Sequence, residues 1–496
     1  MADAAVQAGE AAIPAAQPPK AAAPKVPSQP GRQAVVIIHG MGEQRPMDTV
    51  RDFVKTTWGG DEVVKAGDTA GSQVWNKPDT RTGSLELRRI TTRKSKRGGA
   101  YPKGVRTDFY ELYWADLTGG STWQQFVAWV RYLLFRRWSN VPVDVRSAWL
   151  ALWALSIVAV LFALASVMPA RIWLSFAPSW LPQWPFILIA GGLGAQIHRV
   201  ATATFGRVVR YTRADPDNIA ARAAVRERGL ALLKALHESG DYDRIIVVGH
   251  SLGTILAYDL VSYFWAQREA VGRIEVKTAE FAALVDVDRA AADLVAAPGP
   301  ATLSAYRTMQ ARLRRLLAKR APAANADDDG RWLISDLVTI GSPLTHAEFL
   351  LAASTDDLAA RQNEREVPKS PPYRETLDRR ALWLAKDSKL VEAAASTCNL
   401  FAYPIKDSRR LWQLHHAAPF AVVRWTNIFD PARASYRGDL ISGPLADNFG
   451  PGILDIDLRK IRGQSKRFSH TRYWASDADG KQLLELRAAL NFLDVD

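Results

Sequence analysis

Cysteine is almost absent from this chain, since Cys398 is the single one among 496 residues. One cysteine cannot form an intramolecular disulfide or a cysteine-rich zinc cluster. Histidine is also sparse, with 8 residues, and no Cys/His spacing typical of a metal site occurs. We therefore expect a reducing compartment, no metal site and no cofactor.

Charged residues are missing from two stretches, Ala148–Met168 and Ile172–Ile197. At about 1.5 Å per residue, the first is long enough to cross the hydrocarbon core of a bilayer, about 30 Å thick. We predict a transmembrane helix there. Pro178, Pro182 and Pro185 interrupt the second stretch, which is therefore predicted to cross a thinned bilayer or to be re-entrant or interfacial.

The residues around these stretches predict their orientation. Arginines precede the first stretch and follow the second, whereas Arg171 alone lies between them. By the positive-inside rule, residues 146–199 form a hairpin whose two ends are cytoplasmic, which in a bacterium means the inner membrane. A buried helical hairpin in a soluble protein is the alternative. An interfacial belt of tryptophans favours the membrane: Trp149, Trp153, Trp173, Trp180 and Trp184.

A formal charge of +13 predicts attraction to polyanions. Together with the apolar hairpin, it favours a lipid bilayer as the partner, and we expect no nucleic acid. Residues 59–110 have little periodicity, and basic side chains are concentrated in Arg88–Arg106. This segment is predicted to be a solvated loop, with a phospholipid-facing patch as the alternative.

Short apolar runs predict buried strands of a mostly parallel sheet, and therefore an α/β fold. An Ala/Pro-rich leader at 1–33 is expected to be disordered. The first part of the folded domain is predicted at 34–145 and the main part at 200–496, with insertions near 268–331 and 361–419. The predicted strands are Ala34–Ile38, Ile245–Val248, Leu337–Ile340 and Phe420–Trp425.

The run Gly249-His250-Ser251-Leu252-Gly253 directly follows one predicted strand and opens a helix-compatible stretch. A G-x-S-x-G motif in this strand–turn–helix setting exposes its serine on a sharp turn. Glycines are needed because larger side chains would collide with the neighbouring strand and helix. We identify Ser251 as a candidate nucleophile.

Four motifs in order along the chain resemble the lipase/esterase branch of the α/β-hydrolase superfamily. They are His39-Gly40-Met41-Gly42 after the first strand, the Ser251 motif, Gly341-Ser342-Pro343-Leu344, and the later pair Asp439 and His470. The resemblance covers Ala34–Trp58 and, in pieces, the chain from Asn218 onward. It implies an α/β-hydrolase fold, here with a membrane hairpin inserted between the first strand and the nucleophile.

The resemblance also implies the order nucleophile, acid, histidine. His470 lies before the last predicted helix and is the candidate base, in preference to His346, His415 and His416, the other histidines beyond Ser251. The acid is expected after the strand that ends near Asn427. Asp439 is favoured because an apolar pair follows it, and Asp430, which precedes Pro431, is the alternative.

An oxyanion hole needs backbone N–H donors aimed at the substrate carbonyl oxygen. Leu252 is expected to supply one donor, and Met41 or Gly42 the second. Together with the predicted hairpin, the resemblance implies a membrane-anchored serine hydrolase that cleaves carboxylic esters, with lipids or other apolar acyl esters as substrates. Acyl transfer by the same residues and a catalytically inactive membrane-interaction module are the alternatives.

Overall fold

The computed structural model describes the folded body of the chain. The described residues are 31–40, 45–65, 73–84, 86–118, 146–176, 216–320, 330–377, 398–405, 410–432, 437–439, 441–463, 465–467, 469–475 and 480–495, with isolated residues at 135, 138, 178, 184, 186, 188, 189, 191 and 192. Most of the predicted leader, Met41 and Gly42 lie outside them.

The central element is a mostly parallel β-sheet of eight strands within the described residues. Its order is β13-β12-β7-β5-β1-β4-β3-β2, in which β13 to β4 run parallel and β3 and β2 are antiparallel. All the described strands, including those of two smaller sheets (β10-β11-β6 and β8-β9), are β1 (Arg32–Ile38), β2 (Val74–Pro78), β3 (Arg88–Lys94), β4 (Arg106–Leu112), β5 (Arg244–His250), β6 (Arg273–Glu275), β7 (Ile334–Ile340), β8 (Glu375–Leu377), β9 (Cys398–Leu400), β10 (Ala402–Pro404), β11 (Leu411–Leu414), β12 (Arg424–Phe429) and β13 (Ile453–Asp457).

Helices flank this sheet, so the fold is α/β. They are α1 (Asp48–Thr57), α2 (Arg146–Val167), α3 (Ala170–Phe176), α4 (Pro216–Glu238), α5 (Gly253–Gln267), α6 (Glu269–Gly272), α7 (Ala279–Ala296), α8 (Pro300–Ala318), α9 (Ala347–Leu350), α10 (Thr355–Asn363), α11 (Ala446–Phe449), α12 (Leu458–Arg462) and α13 (Gly480–Leu490).

Both faces of the sheet are covered. Alternate side chains of a strand point to opposite faces, so Val36 of β1 packs among residues of α4, α5 and α8, whereas Val35 packs among residues of α1 and α13. This double burial explains why β1, β5 and β7 are apolar runs rather than alternating patterns. The carboxyl ends of these parallel strands meet at one edge.

The segment predicted to be a solvated loop contains strands of the central sheet. Residues 59–110 contain β2, β3 and most of β4, and β4 pairs in parallel with β1. The loop prediction is wrong because these residues pair into the sheet, and one of their basic side chains, Arg89, forms ion pairs inside the fold. The guanidinium of Arg89 lies 3.5 Å from a carboxylate oxygen of Asp79 and 3.4 Å from one of Asp108.

The strand predicted at Phe420–Trp425 begins four residues later, at Arg424. A 3-10 turn at Pro419–Ala421 takes up the first apolar residues. Phe420 and Trp425 are both fully buried, and their stacked rings lie 4.7 Å apart. The apolar run indicates burial, but both the turn and the strand are buried here, so the run does not locate the start of the strand.

The predicted hairpin at 146–199 is described in part, as α2 and α3 with isolated residues beyond them. Its last residues, 193–199, lie outside the described part of the chain. Several large apolar side chains of α2 are exposed. Among the described residues, no helix has the length and apolar character needed to cross a membrane.

Candidate active site

Ser251 lies on the sharp turn between β5 and α5. Its φ of 53° is in the left-handed region, which costs a non-glycine residue of order 1 kcal/mol or more. The Ser251 N–H donates to the Ile340 carbonyl of β7 at 2.9 Å and holds the turn against the sheet. A Cβ on Gly249 would lie 2.6 Å from the Thr254 Cα, and one on Gly253 would lie 2.4 Å from the Ile38 carbonyl oxygen.

The structure brings Ser251, His470 and Asp439 together in one hydrogen-bonded chain. The Ser251 hydroxyl donates to His470 Nε2 at 2.8 Å, and His470 Nδ1–H donates to Asp439 Oδ2 at 2.9 Å. All three side chains are buried. With Nδ1 protonated and held by the carboxylate, Nε2 is free to accept the serine proton.

Asp439 is held by further donors. The Tyr473 hydroxyl donates to Asp439 Oδ2 at 2.8 Å, and the Ile441 N–H donates to Oδ1 at 2.9 Å. Burial alone would raise the pKa of Asp439, but the hydrogen bond and charge of His470, followed by these donors, lower it below its ordinary value. Asp439 is therefore a carboxylate at neutral pH.

Asp430, the alternative acid, binds elsewhere. Its Oδ2 accepts from Arg462 Nη2 at 2.6 Å, and its backbone carbonyl accepts the Asp439 N–H at 2.7 Å. Burial raises the pKa of Asp430, and the charge and hydrogen bond of Arg462 offset part of this. Asp430 therefore supports the loop that carries Asp439 and does not contact the imidazole.

Gly341 leaves space for the side chains of Asp439 and His470 because it has no Cβ. Its φ is +61°, and a Cβ there would lie 2.8 Å from a ring carbon of Tyr473 and 3.2 Å from Asp439 Oδ2. The following Ser342 hydroxyl lies 2.7 Å from the Thr254 hydroxyl of α5. The Gly341-Ser342-Pro343-Leu344 motif thus joins the end of β7 to the nucleophile turn.

His250 connects the nucleophile turn to the base. Its Nε2–H donates to the His470 carbonyl at 2.8 Å, and its ring lies 4.7 Å from that of Trp474. Burial, together with the neighbouring His470, lowers the pKa of His250 to about 3. A neutral His250 thus fixes the backbone of His470 without adding a competing charge.

Of the backbone N–H groups expected to form an oxyanion hole, that of Leu252 lies among the described residues. Leu252 is the residue immediately before α5, and no described residue accepts a hydrogen bond from its N–H. Because a helix N-terminus carries partial positive charge, this position suits a developing negative charge. On the side of Ser251 that faces the loop after β1, Gly40 packs closely, since a Cβ there would lie 2.6 Å from the Ser251 Cβ. The remaining candidates, Met41 and Gly42, lie outside the described residues.

His39 has a supporting position. Its ring is buried and stacks on Trp114 at 5.4 Å, its Nε2 accepts the Trp114 N–H at 3.3 Å, and its Nδ1–H donates to the Gly40 carbonyl at 2.8 Å. Both bonds fit one neutral tautomer. His39 therefore fixes the start of the loop after β1 and does not contact Ser251.

Among the described residues, no hydrogen bond joins Ser251 to the other candidate histidines, His346, His415 and His416. His415 Nε2–H donates to the Tyr373 carbonyl at 2.8 Å, and burial lowers its pKa to about 4. His346 ends the 3-10 turn after β7. Among the described residues, no cluster of histidine, cysteine and carboxylate side chains could hold a metal ion.

Tyr473 is the site residue that the sequence reasoning missed. It lies three residues after His470 in the segment Thr471-Arg472-Tyr473-Trp474, which no motif distinguishes. Its ring lies beside Gly341 at the end of β7, where its hydroxyl reaches Asp439. The proximity of an aromatic hydroxyl to the candidate base was the only available signal.

Comparison with known proteins gives no matching family model, no matching curated protein and no matching solved structure.

Proposed function

We propose that this chain is a serine hydrolase of the α/β-hydrolase superfamily that cleaves carboxylic esters. The observation that carries the proposal is the pair of hydrogen bonds that links Ser251, His470 and Asp439. A serine hydroxyl is a weak nucleophile at neutral pH, and it needs a base in contact and a third group to orient that base. The arrangement meets both requirements.

In the proposed reaction, Ser251 Oγ attacks the ester carbonyl carbon while His470 Nε2 takes its proton. The charge on the carbonyl oxygen is stabilised by backbone N–H groups, with Leu252 as one donor. The imidazolium gives its proton to the departing alkoxide, which leaves as the alcohol. His470 then deprotonates a water molecule that releases the acid and regenerates Ser251.

The test is ester hydrolysis by purified protein, with p-nitrophenyl esters of short and long acyl chains. We expect wild-type turnover and a loss of at least about 10³-fold in Ser251→Ala. A higher rate on long chains supports a lipid-like substrate, and transfer of the acyl group to added alcohol measures acyl transfer. Equal rates for wild type and Ser251→Ala would contradict the proposal.

We further propose that α2 holds the hydrolase at a lipid bilayer by embedding in its apolar layer. Large apolar side chains that are about half exposed or more support this: Leu150, Ile157, Val160, Leu161, Leu164 and Val167. Contiguous exposed apolar surface is a liability in water. At the start of the helix, Arg146 lies over the ring of Trp138 at 5.0 Å, and both residue types are favourable at a membrane interface.

Flotation with vesicles of phosphatidylethanolamine and phosphatidylglycerol tests the attachment. Wild type is expected to float and to resist a carbonate wash. Leu161→Asp should weaken flotation severalfold, because a charge inside hydrocarbon costs about 2.5–3.5 kcal/mol. Leu484→Asp on α13 is the matched control, since both leucines are 58% exposed. Wild type recovered wholly in the soluble fraction would contradict the proposal.

A further inference from the structure

A second concave site lies at the opposite edge of the sheet from Ser251. Ser251 follows the carboxyl end of β5, whereas Arg244 and Arg424 are the first residues of β5 and β12. At this amino-terminal edge, a cavity of about 240 Å³ lies between α8, the start of β12 and the C-terminal segment. Its polar lining includes Ser304, Arg307, Thr308, Arg424 and Asn491.

Among the described residues beside this cavity, arginines outnumber the carboxylates that pair with them. Asp336 accepts from Arg424 Nε at 2.8 Å and from Arg244 Nη2 at 2.5 Å. Asp494 accepts from Arg424 Nη2 at 2.9 Å and from Arg314 Nη2 at 2.5 Å. These five side chains are almost fully buried. Arg315 also pairs with Asp494 at 3.2 Å, so four arginines share two carboxylates.

Arg307 adds a further positive charge to the cavity wall. Its guanidinium donates to the Trp425 carbonyl and to the Thr426 hydroxyl, each at 2.9 Å. Both acceptors are neutral, and no described carboxylate forms an ion pair with Arg307. Burial, followed by the charge of Arg424, lowers the pKa of Arg307 to about 10, so it remains a cation at neutral pH.

An anion in the cavity would offset this excess. A guanidinium offers a planar fork of donors that suits phosphate oxygens, and nearby hydroxyls supply additional donors. At about 30 Å³ for each water molecule, the cavity holds a tetrahedral anion with a small substituent. We propose that the cavity formed by Ser304, Arg307, Thr308 and Arg424 binds phosphate, either free or as a small phosphate monoester.

The test measures binding to the full chain by calorimetry at fixed ionic strength, with inorganic phosphate and methyl phosphate as probes. Wild type is expected to bind phosphate saturably, and chloride is not expected to compete. Arg307→Gln should weaken binding by at least about tenfold. Arg312→Gln is the matched control, because Arg312 is an exposed arginine of the same helix and pairs with Asp286. The phosphate affinity of this variant should stay within about twofold of the wild-type value.

Two further arms keep the outcome decisive. Thr308→Val leaves every charge in place and should weaken binding by a few fold. Ser251→Ala should bind phosphate like wild type, so the result is independent of the proposed hydrolase activity. Tighter binding of methyl phosphate identifies a monoester ligand, and weaker binding identifies free phosphate. Absence of saturable binding by wild type, or equal binding by Arg307→Gln, would overturn the proposal.

Discussion

At the residue scale, the strained backbone of Ser251 depends on neighbours outside the G-x-S-x-G motif. Its N–H is held by Ile340, and its carbonyl accepts the Thr254 hydroxyl at 2.7 Å. Thr254 in turn contacts Ser342. The G-x-S-x-G pattern identifies the serine, but these contacts fix the direction in which its hydroxyl points.

The two candidate acids give the first prediction. Asp439→Asn should lower kcat by about 10³- to 10⁴-fold, because an amide can present its N–H to His470 and reverse the tautomer that accepts the serine proton. Asp430→Asn removes a charge paired with Arg462 and should lower kcat by less than about tenfold. Steady-state kinetics of both variants, with melting temperatures as a folding check, make the comparison. A larger loss in Asp430→Asn would reverse the assignment.

Tyr473 gives a second prediction, as a positioning residue. Tyr473→Phe removes one donor to Asp439 Oδ2, so the carboxylate becomes more basic and holds an imidazolium more strongly. The acidic limb of the kcat/KM profile should therefore move to higher pH, and kcat should fall by roughly tenfold at unchanged KM. A variant with an unshifted profile would mean that the tyrosine serves packing alone.

At the element scale, close approach of the loop after β1 to the nucleophile turn gives a third prediction. A methyl group on Gly40 would lie 2.6 Å from the Ser251 Cβ and 3.2 Å from the His250 carbonyl oxygen. Gly40→Ala should therefore lower kcat by about 10²-fold while the chain still folds. In Gly299→Ala the nearest atom to the new methyl lies 3.9 Å away, so kcat should not change. Equal kcat values would refute this role of the loop.

Glu111 links β4 to the start of α1 and gives a fourth prediction. It is 1% exposed, and its Oε2 accepts the Met47 N–H. Burial raises its pKa from 4.5 to about 7, although the Met47 bond opposes this. Between these values the folded state holds a proton that the unfolded state releases, so stability falls as pH rises through this window.

The free energy of unfolding should therefore drop by up to about 3 kcal/mol between pH 4.5 and 7 in wild type because of this residue. Glu111→Gln keeps an acceptor for Met47 and should lack that part of the drop. Urea unfolding at pH 5 and pH 8 measures the difference. The same pH dependence in both proteins would show that Glu111 does not cause it.

The strands predicted correctly from sequence are those whose apolar runs result from burial on both faces of the sheet. β1, β5 and β7 are buried on both faces, and their apolar runs reveal this directly. β3 was missed because its residues are largely charged, and the partners of Arg89, which are Asp79 and Asp108, become apparent only in the folded chain. The position of Tyr473 could not be predicted, because it depends on how the C-terminal loop packs.

At the whole-molecule scale, the two edges of the sheet divide the proposed roles. The carboxyl edge carries Ser251, His470 and Asp439, and the amino edge carries the arginine-rich cavity. Several of the arginines that contribute to the net charge of +13 are therefore buried. There they pair with Asp336 and Asp494 and join the ends of the strands to the C-terminal segment. Some of the arginines behind the charge that composition linked to polyanions therefore have a structural role.

The central claim is that Ser251 is an activated nucleophile. The most direct measurement is labelling of the intact protein with a fluorophosphonate, followed by peptide mass spectrometry to locate the adduct. The account predicts one adduct per chain on Ser251, loss of labelling in Ser251→Ala and much slower labelling in Asp439→Asn. An unlabelled wild type, or equal labelling of Ser251→Ala, would contradict it.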